Sequence, residues 1–291
     1  MTPALFLTLG VAVGLIGTLI GVGGGFIMVP ILWAAYPNAT PDQITAISFF
    51  TIFANSLSGT VSYAKMKRID YRSGAIFALA SLPGSTLGAW LTTQISPTLF
   101  EGLLAAMMAI GATLLIVLGG KEGLKKREAK LAAEGHLAQK VPTKGLVIGA
   151  ILSLFVGLVA AMVGIGGGVI HVPMMVFILS FAVHRATATS HFVLAITSAA
   201  VTAQHILHGS LDGYWPVALS LAAGAVIGAQ LGAKLSTKTP PTVIIRALAV
   251  ILLLVAGRLA WNALQRAERN PQAPASPTPA PIRPASAAPS Y

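Results

Sequence analysis

Apolar residues run almost unbroken through most of the chain, and the charged ones gather between the runs. In the first half this pattern predicts helices over residues 3–20, 26–36, 44–64, 73–95 and 98–119. The long runs match the roughly 17 to 25 residues that a spanning helix needs. The piece at 26–36, which ends at Tyr36-Pro37-Asn38, is too short to span alone. It either continues the first helix as one long broken crossing or returns as a re-entrant hairpin. Within 44–64 the residues Ser48, Thr51, Asn55 and Ser58 fall at helical spacing, a polar stripe expected to face the bundle interior because such groups are costly against lipid. The last apolar run covers about residues 242–262, and residues 263–291 form a Pro/Ala-rich tail whose composition builds no core.

The chain turns on a ten-residue stretch that occurs twice. Gly21-Val22-Gly23-Gly24-Gly25-Phe26-Ile27-Met28-Val29-Pro30 returns as Gly164-Ile165-Gly166-Gly167-Gly168-Val169-Ile170-His171-Val172-Pro173, with seven of the ten positions identical at an offset of 143. A glycine in a helix interior costs about 1 kcal/mol relative to Ala, and proline removes a backbone donor, so the helix is expected to be interrupted at both places. Both copies sit between apolar runs, and non-helical backbone at membrane depth is tolerated only where protein or a watery cavity surrounds it. Such paired interruptions in two halves point to a transporter's binding site. The correspondence extends further: Thr45, Ala46, Ser48, Phe50, Ser56, Thr60 and Asp70 match Thr187, Ala188, Ser190, Phe192, Ser198, Thr202 and Asp212 at 142, and Gly84, Gly88, Ala89 and Leu91 match Gly224, Gly228, Ala229 and Leu231 at 140.

Composition narrows the class. Only 9% of residues are charged and 55% are hydrophobic, against about 25% charged in a soluble domain, so the chain is read as an all-α polytopic membrane protein of two internally repeated bundles, each with a Gly-rich broken or re-entrant helix. The division expected is 1–119 for the first repeat, 120–144 for a basic cytoplasmic linker, 145–262 for the second repeat and 263–291 for the tail. The N-terminus lacks a basic region and a cleavage site and reads as the first membrane segment. The net charge of +11 comes mostly from residues between spans, which marks cytoplasm-facing loops rather than nucleic-acid binding. Eight spans, four plus four, are expected, with a five-plus-five inverted repeat as the alternative. The basic residues divide about 15 to three in the first arrangement and 14 to four in the second, so charge barely separates them. Cysteine is absent, which excludes disulfides, thiolate metal sites and Cys nucleophiles.

The glycine stretch has the look of a dinucleotide fingerprint, with Asp42 about twenty residues on. It follows a membrane helix rather than a strand, however, and its second copy has His184 in the acid's place. As backbone chemistry the two stretches offer N–H groups at Gly23, Gly24 and Gly25 and at Gly166, Gly167 and Gly168, where two half-helix N-termini can cradle an anion. The alternative is that the glycines only let two broken helices pack closely. Ser48 and Ser190 are the nearest candidate side-chain donors, with Asn55 and Thr197 behind them. His171 and His191 break the internal symmetry, standing where the first repeat has Met28 and Phe49, and are the proton-coupling candidates. His205 and His208 read as interfacial, Glu101 as interfacial in a first helical turn, and Pro83-Gly84 with Gly88 as a helix-packing site. No metal set, cofactor site or catalytic group emerges, since no paired acids, metal cluster or activated nucleophile is visible.

With these residues in hand, the chain resembles the TauE/SafE, or sulfite exporter, family of membrane transporters. The two Gly-[Val/Ile]-Gly-Gly-Gly stretches closing on Val-Pro, the basic central linker and Leu82-Pro83-Gly84 carry the resemblance over about residues 3 to 262. In the second half Ala223 replaces the Pro of the Pro-Gly pair, so that half need not kink alike. The resemblance implies a secondary transporter of small anions, sulfite, sulfonates or related sulfur-containing and organic acids, in the inner membrane of a bacterium. The partners expected are that anion and the lipid bilayer; self-association into a homo-oligomer is left open. The competing readings are an anion channel and a non-transporting membrane scaffold.

Overall fold

The computed structural model of the chain describes residues 2–118 and 141–269, and among these every regular element is helical. In chain order they are α1 (Pro3–Ile20), α2 (Gly25–Ala35), α3 (Pro41–Lys65), α4 (Tyr71–Thr92), α5 (Pro97–Leu118), α6 (Thr143–Met162), α7 (Gly168–Pro173), α8 (Val183–Leu207), α9 (Trp215–Ser236) and α10 (Pro241–Arg269). A π-helical turn, Met174–Ile178, extends α7 directly. Most of the 120–144 linker and of the 263–291 tail lies outside the described residues. α10 runs on to Arg269, past the 262 boundary expected, through a stretch rich in Ala, Leu, Gln, Arg and Glu that favours helix.

Local chemistry explains the starts. Pro3, Pro41, Pro97 and Pro241 each open a helix, where proline's missing N–H costs nothing and its φ is already helical. Thr40 adds a reciprocal cap to α3: its hydroxyl accepts from Gln43 N, and the Gln43 side chain accepts from Thr40 N. Asp70 caps α4, accepting from Ser73 N at 3.2 Å and Ser73 Oγ at 3.0 Å.

Among the described residues seven helices are long and apolar enough to cross a membrane: α1, α3, α4, α6, α8, α9 and the Pro241–Arg258 part of α10. α2, Pro97–Thr113 of α5 and Gly168–Ile178 are shorter apolar stretches. Large apolar side chains such as Leu79, Ile151, Phe155 and Leu254 stand exposed on the outside, the surface that hydrocarbon covers.

The first glycine stretch does not carry the chain straight on. The Gly24 Cα lies against Gly17, and any Cβ on Gly24 would meet Val13. Further along, the Tyr36 ring stacks on Phe6 with centroids 6.3 Å apart. α2 therefore runs back beside α1 toward the face where α1 begins. A single broken crossing of α1 and α2, the basis of the four-plus-four count, would carry Tyr36 away from Phe6, so that expectation does not match the geometry. The returning helix is only 11 residues, roughly 16 Å.

Packing partners come from opposite halves of the chain. α1 lies parallel to α9, with Gly10 and Gly14 against the carbonyls of Leu221 and Ala225, and Gly224, Gly228 and Gly232 against those of Leu7, Val11 and Leu15. In the same way α4 lies along α6, where Gly84 and Gly88 meet the carbonyls of Leu154 and Leu158. Small residues at fourth positions let backbones approach, which is how helices associate where lipid offers no hydrophobic drive. Pro83 stands within an α4 that stays one helix, and α9 stays one helix with Ala223. α3 and α8 cross at the centre, tied to each other at one face by Asp42 and His205, while at the other face Arg185 of α8 pairs with Asp70, the α4 cap.

Candidate functional site

The two glycine junctions meet each other in the middle of the bundle. A Cβ on Gly25 would come within 2.9 Å of Ile165 Cα, and one on Gly168 within 2.5 Å of Val22 Cα. Ile52 of α3 and Leu194 of α8 lie against both Gly23 and Gly166. The start of α2 and the start of α7 thus converge on the α3–α8 crossing, with residues of each half touching the junction of the other: Gly21 against Thr187, Gly164 against Thr45.

Backbone conformation separates the two junctions. Gly21, Gly23 and Gly24 all have positive φ, whereas in the second stretch Gly164 and Gly166 do and Gly167 does not. At Gly24, with φ +89°, any side chain is strained and would press on Val13. At Gly167, with φ −71°, the backbone admits a side chain, but its Cβ would lie 2.6 Å from His171 Nδ1. Alanine at either position therefore strikes protein rather than open space. Of the expected cradle donors, Gly23 N is already used, donating to Gly17 O at 3.2 Å.

The polar stripe forms as spaced, and its members do different work. Asn55 is fully buried and bridges two elements: its Nδ2 donates to Gly23 O at 3.1 Å, and its Oδ1 accepts from Thr18 Oγ1 at 3.0 Å. Because the Thr18 proton goes to Asn55, Thr18 Oγ1 can only accept from His191 Nε2, 3.2 Å away, which puts a proton on Nε2 of that ring. Tyr63 completes the cluster, its OH donating to Thr18 O at 2.8 Å while its ring meets His191 edge-on. The network runs from His191 through Thr18 and Asn55 to the backbone of the first glycine junction. At the second junction Thr197, the counterpart of Asn55, makes no such bridge and turns its hydroxyl back to Val193 O on its own helix.

The serines differ too. Ser48 donates to Gly164 O, tying α3 to the second junction. Its counterpart Ser190 is fully buried, and its hydroxyl has no hydrogen-bond partner among the described residues. Ser56 and Ser198 face each other across the α3–α8 crossing at 3.4 Å. His171 reaches Ser153 Oγ on α6 at 3.1 Å. Among the described residues the buried polar side chains are hydroxyls, Asn55 and three histidines, with no Asp, Glu, Lys or Arg.

Sequence reasoning missed the ends of the crossing. His205 was expected at an interface, but its side chain is only 3% exposed and its Nδ1 stands 3.1 Å from Asp42 Oδ1. Asp70 and Arg185 pair at 2.6 Å at the other face. Partners 163 and 115 positions apart in the chain leave no local signal. Glu101 accepts from Trp33 Nε1 at the returning end of α2. No group of three or more His, Cys, Asp or Glu residues suited to a metal occurs among the described residues.

The family profile described as Sulfite exporter TauE/SafE matches residues 6–259. A relative from Bacillus subtilis, described as "Probable membrane transporter protein YunE", is 29% identical over 277 residues, covering 91% of this chain and 99% of its own. A probable membrane transporter protein of Methanocaldococcus jannaschii is 26% identical over 250 residues, covering 81% of this chain and 87% of its own. One from Xylella fastidiosa is 26% identical over 259 residues, covering 86% and 92%. No solved structure matches the chain significantly. With a profile match running from the first helix into the last, and relatives aligned over nearly their full length, the chain belongs to the TauE/SafE family.

Proposed function

We infer that this protein is a secondary transporter of small anions, with sulfite, sulfonates and related sulfur-containing or organic acids as the substrate class, in the inner membrane of a bacterium. The reading draws on the family and on the relatives described as membrane transporters. The observation that carries it furthest is the meeting of two glycine junctions at a buried crossing lined by hydroxyls and amide donors without a fixed cation. The N-terminal ends of α2 and α7 bring N–H groups and the positive ends of helix dipoles to that crossing. Donors of this kind bind an anion without trapping it, as a carrier requires. In this reading Gly24, Gly25, Gly167 and Gly168 supply backbone and Ser190 supplies a hydroxyl, whereas Ser48, Asn55 and Gly23 hold the junctions in shape.

The same reading gives two inverted halves. α3 and α8 run in opposite directions, and the turns carrying Lys65, Lys67, Arg68 and Arg72, Lys234 and Lys238, and Arg185 share one face, which positive charge assigns to the cytoplasm. The chain lacks cysteine, so single cysteines test the assignment directly. An impermeant maleimide is expected to label a Cys at Gln94 from outside the cell and one at Arg72 only after the membrane is opened; the reverse overturns the orientation.

Flux into proteoliposomes, screened over sulfite, thiosulfate, sulfonates and carboxylates, tests the function. Saturable, gradient-coupled uptake is the carrier's result, and unsaturable conductance is a channel's. Ser190→Ala is expected to weaken anion affinity about tenfold or more, the worth of a hydrogen bond to a charged group, with an unchanged unfolding temperature. Ser48→Ala should instead lower stability, because Gly164 O loses its partner. Unchanged affinity in Ser190→Ala removes that residue from the site.

A further inference from the structure

Three histidines are buried in the bundle, and they differ in what faces them. His171 and His191 each have one ring nitrogen at the hydroxyl of a neighbour, Ser153 and Thr18. His205 meets a carboxylate. It sits in the last turns of α8, its Nδ1 3.1 Å from Asp42 Oδ1 in the first turn of α3, with 3% and 19% of the two side chains exposed. The Phe49 ring of α3 stacks on the imidazole at 6.2 Å. The 3.1 Å contact is an ion-pair distance rather than a formed hydrogen bond: among the described residues Asp42 Oδ1 and the other ring nitrogen, Nε2, are both buried without a hydrogen-bond partner.

At the opposite face a second pair ties the start of α8 to Asp70, the cap of α4. Arg185 at the start of α8 donates to Asp70 at 2.6 Å, and Asp70 is held further by Ser73, while its backbone N donates to Thr189 Oγ1. Arginine stays charged at any physiological pH, so this tie does not respond to protons. Histidine is the one common side chain whose charge changes between pH 5 and 8. α8 is thus held at its start to the α4 cap by a permanent ion pair and at its end to α3 by a pair that depends on a histidine.

We propose that the Asp42–His205 pair is a proton-binding site that closes the α3–α8 crossing at its face: with a proton on His205 the two residues form an ion pair that holds the helix ends together, and loss of the proton weakens the tie and opens the path to the glycine junctions from that side. The titratable and charged neighbours are few. Asp42 comes from α3; His208, which bonds Gln204 O of its own helix, comes from the end of α8; Asp212 comes from the α8–α9 turn, whose Ser210 also bears on the Asp42 carboxylate. Binding and release involve one proton and no other reactant. The meaning in transport rests on the carrier reading above. The tie itself does not.

The test reads accessibility rather than flux. A single cysteine at Thr51, buried on α3 at the level of the glycine junctions, beside Ile52, reports on opening in the otherwise cysteine-free chain. An impermeant maleimide is applied from the Asp42 face of proteoliposomes, with rates divided by those of a Cys at the exposed Gln94 to remove the reagent's own pH dependence. Normalised labelling is expected to be at least about threefold lower at pH 5.5 than at pH 8. Asp42→Asn and His205→Gln should flatten the profile; His171→Gln, His191→Gln and Asp70→Asn should keep it. His205→Lys, which installs a permanent cation, should label slowly at both pH values. A pH profile in His205→Gln like that of the parent overturns the proposal, as does rapid labelling of His205→Lys at pH 8. Because no substrate is involved, either failure leaves the anion flux experiment to decide the transport reading separately.

Discussion

Gly84→Ala is expected to destabilise the protein by about 2–3 kcal/mol, the cost of overpacking a filled interface, or to prevent its accumulation in the membrane. The added methyl would overlap the carbonyl oxygen of Leu154 and come within 3.0 Å of Leu158 N. These are backbone atoms of α6, so no side chain can swing aside, and relief requires the two helices to separate along their length. Separation in turn costs the neighbouring contacts at Gly88 and Gly157, where Cβ atoms would also strike backbone of the facing helix. The expected sign is opposite at Gly102 and Gly257, where nothing lies within 4 Å. There alanine should be neutral or stabilising, by up to about 1 kcal/mol from helix propensity. Thermal unfolding of the three variants in detergent distinguishes packing from propensity. Equal melting temperatures would show that α4 and α6 do not depend on their close approach.

Asn55→Ala should cost at least as much and should act at a distance from any surface. The substitution leaves Gly23 O and the Thr18 hydroxyl without the partners they now have, and each orphaned buried group costs about 1–3 kcal/mol. Thr18 is also the group His191 leans on, so the loss travels along the chain of bonds to that ring. Gly23 and its neighbours hold left-handed backbone, which persists only while its surroundings enforce it. The expected result is a loss of about 2–4 kcal/mol in unfolding free energy together with loss of anion uptake. Thr197→Ala, at the matching place in the second half, should cost under about 1 kcal/mol, because that hydroxyl only returns to its own helix. Similar losses in both would mean the two junctions are held alike, contrary to the bonds observed.

The unequal junctions also bear on how glycine substitutions should be read. A methyl at Gly24 meets Val13, and one at Gly167 meets His171, so reduced uptake in either variant reports packing as well as any contact with substrate. Ser190, buried and unpartnered, is the cleaner probe of the anion.

What the sequence by itself determined is local. Apolar runs of spanning length and glycine clusters that no helix interior favours marked the five helices of the first half to within about three residues of their observed ends. The same reasoning placed Ser48, Asn55, Ser190 and Thr197 on the two crossing helices, because helical spacing is set by the backbone alone. The tertiary structure decided what depends on partners far along the chain. A glycine turn can continue a helix or reverse it, and only the contacts of Gly24 with Val13 and of Tyr36 with Phe6 chose reversal. Likewise a glycine stripe says that a backbone will come close without saying whose. α1 found α9 and α4 found α6 because their stripes are mutually shaped across the halves. Asp42 and His205 each read as ordinary residues at a helix end; their meaning is the 3.1 Å between them, which exists only once α3 and α8 cross.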